Sequence, residues 1–103
     1  MIAKTPAPPY YAVIFSSLRS DDHEGYDETA QRMVELAAQQ PGFLGVESVR
    51  ETLGITISYW SDLESIRNWK TQADHLQAQK MGREKWYSEY KTRIALVERD
   101  YEK

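Results

Sequence analysis

The chain has 103 residues, no cysteine, 13 basic against 16 acidic side chains and a formal charge of −3. Such a length suits one domain, with a core small enough for dimerisation to add useful burial. Without cysteine there are no disulfides, thiolate nucleophiles, iron–sulfur clusters or zinc–cysteine sites, and a mildly acidic domain is poorly suited to a phosphate backbone.

Residues 1–9 read as an extended arm carrying Pro6, Pro8 and Pro9, ahead of a single domain over 10–103. The arm lacks the apolar core of a secretory signal, and no apolar run approaches the ~20 residues of a membrane span, so a cytoplasmic protein is expected. Residues 10–18 are aromatic and β-branched (Tyr10, Tyr11, Val13, Ile14, Phe15) and predict a first strand covered on both faces. A polar turn with Ser20, Asp21, Asp22 and a solvated His23 follows. Tyr26, Ala30, Met33, Val34 and Ala37 recur at helical spacing over 26–40, and Pro41-Gly42 stops that helix.

Residues 43–51 predict a second strand, with Phe43, Gly45, Glu47 and Val49 on one side and Leu44, Val46, Ser48 and Arg50 on the other. Gly45 suits a bulge or a close backbone approach. Thr52-Leu53-Gly54 reads as a hairpin connection to a third strand over 55–60. Ser61 and Glu64 form an S-x-x-E capping box for a short helix presenting Leu63, Ile66 and Trp69. A break near Lys70-Thr71 is expected, then a longer helix to about residue 87 and a fourth strand over 90–101. The basic run Lys80, Arg83, Lys85, Lys91 and Arg93, interleaved with Glu84, Glu89 and Glu98, reads as a solvated face.

The order β-α-β-β-α-β predicts an α+β, ferredoxin-like domain: a four-stranded antiparallel sheet with helices on one face. Strands apolar on both faces imply a homodimer packed sheet to sheet.

Pro41-Gly42-Phe43-Leu44-Gly45 with Glu47 and Arg50, then Tyr59-Trp60-Ser61-Asp62, Trp69 and the closing Val97-Glu98-Arg99, resemble the antibiotic biosynthesis monooxygenase (ABM) domain. The resemblance runs from about residue 10 to 101 and implies a dimeric α+β barrel with a pocket between helices and sheet. It also implies a range of activities, from cofactor-independent quinone-forming monooxygenases to haem-degrading enzymes, together with members without known chemistry. The haem-degrading branch combines a first-strand Asn, a Trp in the second helical region and a His ten residues further on. Here Trp69 matches, Gln79 stands at the histidine position, and Ser16 or Ser17 at the asparagine position. Haem degradation is thus disfavoured, and no cofactor is expected.

Within that frame His75 is the natural general base, because an imidazole titrates near neutrality. On a continuous helix His75, Gln79, Gly82 and Trp86 share a stripe, with Gly82 leaving room for a ligand. Trp69 and His75 are the catalytic candidates, and Tyr59, Trp60, Gln79 and Trp86 the candidates for binding a small aromatic ligand. Core packing is the competing role for the tryptophans. Tyr59, Tyr87 and Tyr90 are equally suited to hydrogen-bonding a phenol or filling a dimer interface. Arg50 and Arg93 require a carboxylate or an anionic ligand if they face inward, and Glu47 and Glu98 are the favoured partners. His23 and His75 share no metal-ligand spacing, so no metal site is expected.

Overall fold

The computed structural model describes all residues except 23 and 81–84, and residues 77–80 through their backbone alone. His23, Gly82, Arg83, Glu84 and the side chains of Gln79 and Lys80 therefore lie outside the described residues. The order is β1 (Tyr10–Arg19), α1 (Tyr26–Ala38), β2 (Phe43–Arg50), β3 (Leu53–Trp60), α2 (Leu63–Lys80) and β4 (Tyr87–Val97). The strands form one antiparallel sheet in the order β2-β3-β1-β4, the ferredoxin-like arrangement.

Four local expectations are corrected. First, α2 is continuous through Lys70 and Thr71. The Lys70 ammonium meets Asp74 one turn on at 2.7 Å, and the Thr71 hydroxyl donates to the Arg67 carbonyl, so both residues are satisfied within the helix. Second, Asp62 rather than Ser61 caps α2, its carboxylate accepting from the Ser65 amide at 2.7 Å. That bond and those from the Ser65 and Ser61 hydroxyls hold the Asp62 carboxyl below its ordinary value. Third, the hairpin turns on Glu51 and Thr52, while Leu53 and Gly54 already belong to β3 and Gly54 pairs with Arg50. Fourth, β4 starts at Tyr87 and ends at Val97, entering its pairing with β1 through a register shift at Leu18/Arg19.

A further register shift in β2 lies between Phe43 and Gly45, leaving Leu44 as the extra residue of a bulge. The bulge moves Phe43 to the same face as Val46, Ser48 and Arg50, where simple alternation had placed it opposite. Phe43 there meets Trp60 edge to face at 5.5 Å. Gly42, at φ 86°, makes the turn into β2, and a Cβ on it would overlap the Ser65 side chain. Glycine is required there for both conformation and space.

The helix-facing side of the sheet consists of four cross-strand rows. Phe43, Trp60, Tyr11 and Leu96 form the first, and Val46, Ser58, Val13 and Ile94 the second. Ser48, Thr56, Phe15 and Thr92 form the third, and Arg50, Gly54, Ser17 and Tyr90 the fourth. The core sits on the first two rows, where Ala37 of α1, Ile66 of α2 and Trp60 are buried together and Tyr11, Val13, Phe43 and Trp69 pack against them. Cover is thinner over β4, where Ile94 is 52% exposed and Leu96 48%.

The opposite face carries Tyr10, Ala12, Ile14, Glu47, Ile57 and Tyr59. The N-terminal arm folds back over part of it. The Ala3 amide donates to Glu47 Oε2 at 2.9 Å, and the Ala3 methyl lies where Gly45 has no side chain. Met1 and Ile2 lie beside Val49, Ile55 and Ile57. The Thr5 hydroxyl donates to Tyr10 Oη, which in turn donates to Asp100 Oδ2 at 2.6 Å. Val49 remains 65% exposed on this face and Leu53 49%. No described helix is long and apolar enough to cross a membrane.

Candidate functional site

Between the two helices and the four rows lies an open cleft of about 980 Å³, at the upper end of the roughly 300–1,000 Å³ seen for small-molecule sites. It is lined mainly by apolar and aromatic side chains, and its character changes along the sheet. At the first two rows it is closed by Phe43, Ile66 and Trp69. Trp69 stacks on the fully buried Trp60 with ring centres 6.2 Å apart and planes 23° from parallel. The Trp60 indole N–H donates to Ser58 Oγ at 2.9 Å, which satisfies its one polar group inside the core.

At the other end the lining becomes a ring cluster with two cations. Tyr26 meets Trp86 and Tyr87 edge to face, each at 5.8 Å, and Phe15 contacts Tyr87 at 5.3 Å and Tyr90 at 5.7 Å. The guanidinium carbons of Arg19 and Arg50 stand 5.2 and 5.7 Å from the Tyr26 ring centre, within cation–π range. The Trp86 indole N–H donates to the Glu24 carbonyl at 2.9 Å, tying the segment before β4 to the start of α1. Burial pushes the Tyr87 phenol up, the Tyr26 hydrogen bond adds to the rise, and the two arginines pull against it. Tyr87 is consequently a neutral hydrogen-bonding phenol at neutral pH rather than a base.

The six sequence candidates separate. Trp69 and Trp86 line the cleft. Trp60 lies beneath it in the core. Tyr59 is on the opposite sheet face, where its hydroxyl donates to Glu47 Oε1 at 2.7 Å and its ring meets Tyr10 edge to face. Burial first, and then that hydrogen bond, push the Tyr59 phenol up to about 12. His75 is exposed on α2 and is not part of the cleft lining, so the expectation that it faces the pocket is corrected. The physical reason is the continuity of α2, which turns position 75 away from the face carrying Ile66, Trp69 and Ala73. Gln79 falls on α2, with its side chain outside the described residues.

The expected pairing of Arg50 with Glu47 is also corrected, because the two side chains occupy opposite faces of β2. Glu47 is engaged by Ala3 and Tyr59, and those two hydrogen bonds hold its carboxyl below the ordinary range. Arg50 instead reaches Ser17 on β1, and the exposed Arg93 faces the other way. Tyr26 and Arg19 went unassigned in the sequence reading. Arg19 closes the first strand and Tyr26 opens the first helix, and only the folded chain brings them together. Among the described residues no group of three His, Asp or Glu side chains is placed to hold a metal ion.

Fold and cleft together define a small ferredoxin-like α+β protein with a ligand-sized space between its helices and one face of its sheet. Within that class the chain belongs to the antibiotic biosynthesis monooxygenase family, which it matches over residues 9–81, from β1 through α2. It is 56% identical over 100 residues to the uncharacterized protein YqjZ of Bacillus subtilis, covering 95% of this chain and 88% of that one. Among solved structures it resembles PA3566 of Pseudomonas aeruginosa, with a TM-score of 0.69 at 16% identity over 93% of this chain and 99% of that one. It also resembles SnoaB of Streptomyces nogalater, a cofactor-independent oxygenase, with a TM-score of 0.67 at 16% identity over 92% and 97% of the two chains. At such identities the likeness carries the fold.

Proposed function

We propose that this protein is a cofactor-independent monooxygenase that takes a small aromatic or polyketide-like phenol into the helix–sheet cleft. The observation that carries the reading is the cleft itself: ligand-sized, apolar and lined by aromatic rings from the stacked Trp60–Trp69 end to the Tyr26–Trp86–Tyr87 end. Family membership and the fold shared with SnoaB support it. The chemistry is balanced without a cofactor: a phenol with a free ring C–H and O₂ give a quinone and water, the substrate supplying all the electrons. The chain's task is then to orient the ring, exclude water and stabilise the phenolate. Trp69 and Trp86 provide ring surfaces for orientation, and the arginines provide positive charge. His75, from its exposed position, is assigned proton exchange with solvent at most.

A second reading, a dimeric small-molecule-binding domain without turnover, is favoured by one observation. Among the described residues the cleft lining contains no imidazole, and Tyr87 is held in its neutral form. Oxygen uptake with a panel of dihydroxyarenes separates the two. Uptake that Trp69→Ala reduces supports the monooxygenase, whereas saturable binding without uptake supports the binding domain. In both readings the protein acts as a homodimer, its interface formed by the sheet face that bears Val49, Leu53 and the N-terminal arm. Light scattering should report twice the 12.0 kDa chain mass. A monomer in dilute solution removes that part of the proposal.

A further inference from the structure

We infer that Arg50 is an anion subsite, and that the ligand of the cleft carries a carboxylate at the end remote from Trp69. The inference rests on the assignment of the cleft as a ligand site, but it does not require turnover.

The subsite is built across three adjacent strands in one row. Arg50 of β2 faces Gly54 of β3, which faces Ser17 of β1. The arginine side chain lies over Gly54, where any Cβ would overlap its guanidinium. It then reaches Ser17, donating through one terminal nitrogen to the Ser17 carbonyl at 3.3 Å and through the other to the Ser17 hydroxyl. Ser17 is 2% exposed, so the anchor is part of the interior and not a surface contact. The Tyr26 ring supports the guanidinium from the helix side.

What this cation lacks among the described residues is a counter-charge. A guanidinium has five N–H donors, and Ser17 takes two of them. Among the described residues no carboxylate lies within ion-pair distance of Arg50. Arg19 has Asp27 at 3.9 Å, Arg32 has Glu35, and Lys70 has Asp74. Arg50 lines the cleft, where a partly buried cation without an opposite charge is costly. A planar carboxylate matches the remaining fork and removes that cost. Arg50 and Trp60 are separated by six residues of β3, or about 20 Å. An occupant that is apolar at one end and anionic at the other would span that gradient.

The test compares 2-naphthoate with 2-naphthamide, which differ in charge but hardly in shape, by calorimetric titration. The wild-type protein is expected to bind the carboxylate at least about tenfold more tightly than the amide. Arg50→Met should erase the preference while leaving affinity for the amide within about twofold. Gly54→Ala keeps the arginine but fills the space it lies in, and should erase the preference as well. Arg19→Gln should lower the preference by less than Arg50→Met does, because the Arg19 guanidinium has Asp27 beside it. Equal wild-type affinities, no saturable binding of naphthoate, or a preference that follows Arg19 and not Arg50 would each overturn the inference. The wild-type comparison stands even if a variant fails to fold. A carboxylate preference without oxygen uptake would remove the monooxygenase reading and keep the subsite. Uptake without the preference would do the reverse.

Discussion

The two ends of the cleft solve opposite problems on the same sheet. At the Trp60 end the packing is closed: Trp60 gives its indole N–H to Ser58, stacks on Trp69 and meets Phe43, Ala37 and Ile66. At the Arg50 end, two cations share one tyrosine ring, one loose carboxylate partner is present, and the space above the sheet is left open. The buried core lies at the closed end, and the proposed ligand site at the end left open, as functional sites generally depart from the best packing.

Substitutions at each end should report this division. Trp60→Ala removes the largest fully buried side chain and should cost about 3–5 kcal/mol in urea unfolding, a large share of a small domain's stability. A loss below about 1 kcal/mol would mean that the closed end is not the stabilising one. Gly42→Ala, at the same end, forces a side chain into the left-handed region and against Ser65, at a cost of about 1–2 kcal/mol from the backbone alone. Gly54→Ala, at the open end, should change stability by less than about 1 kcal/mol, because the strand gains from losing a glycine what it loses at Ser17. Its effect belongs in ligand binding, and a large stability loss would blur the contrast between the ends.

The smallest effect expected is on the opposite face, at Glu47. Its folded-state value lies below the unfolded one, so its carboxylate stabilises the fold above the unfolded value. That contribution is lost as the pH falls through the folded value. Hydrogen exchange at the Ala3 amide should therefore lose protection only as the pH falls below the ordinary carboxylate range, and Glu47→Gln should flatten the dependence. Protection that is independent of pH in the wild-type protein would show that the arm is held by its apolar residues instead.

The sequence reading reached the architecture because its signals are periodic and local. The apolar strands, the Pro41-Gly42 stop and the Tyr59–Asp62 strand-to-helix turn each declare an element within a few residues. The site was less legible because it depends on register. A single extra residue at Leu44 changes the face of Phe43, and the pairing of Arg50 with Ser17 appears only when β2, β3 and β1 are aligned. His75 drew notice for its chemistry, and Tyr59 for its neighbours, but chemistry does not say which way a residue points. One signal for Arg50 was present: the hairpin Arg50-Glu51-Thr52-Leu53-Gly54 sets an arginine opposite a glycine, which leaves room for a long side chain to lie across a strand.

The Leu44 bulge has a consequence of its own. On its N-terminal side β2 faces in one phase, and on its C-terminal side in the other, so that one strand supplies Phe43 to the core and Glu47 to the arm. A deletion of Leu44 would hardly shorten the strand, but it would restore simple alternation. Phe43 and Arg50 would then stand six positions apart and stay on the same side of the sheet, so the loss of the bulge residue would preserve the face of both. A residue lost from the regular part of β2 between Gly45 and Arg50 would instead set Phe43 and Arg50 on opposite faces, so the strand is far more sensitive to a change of frame there than at Leu44.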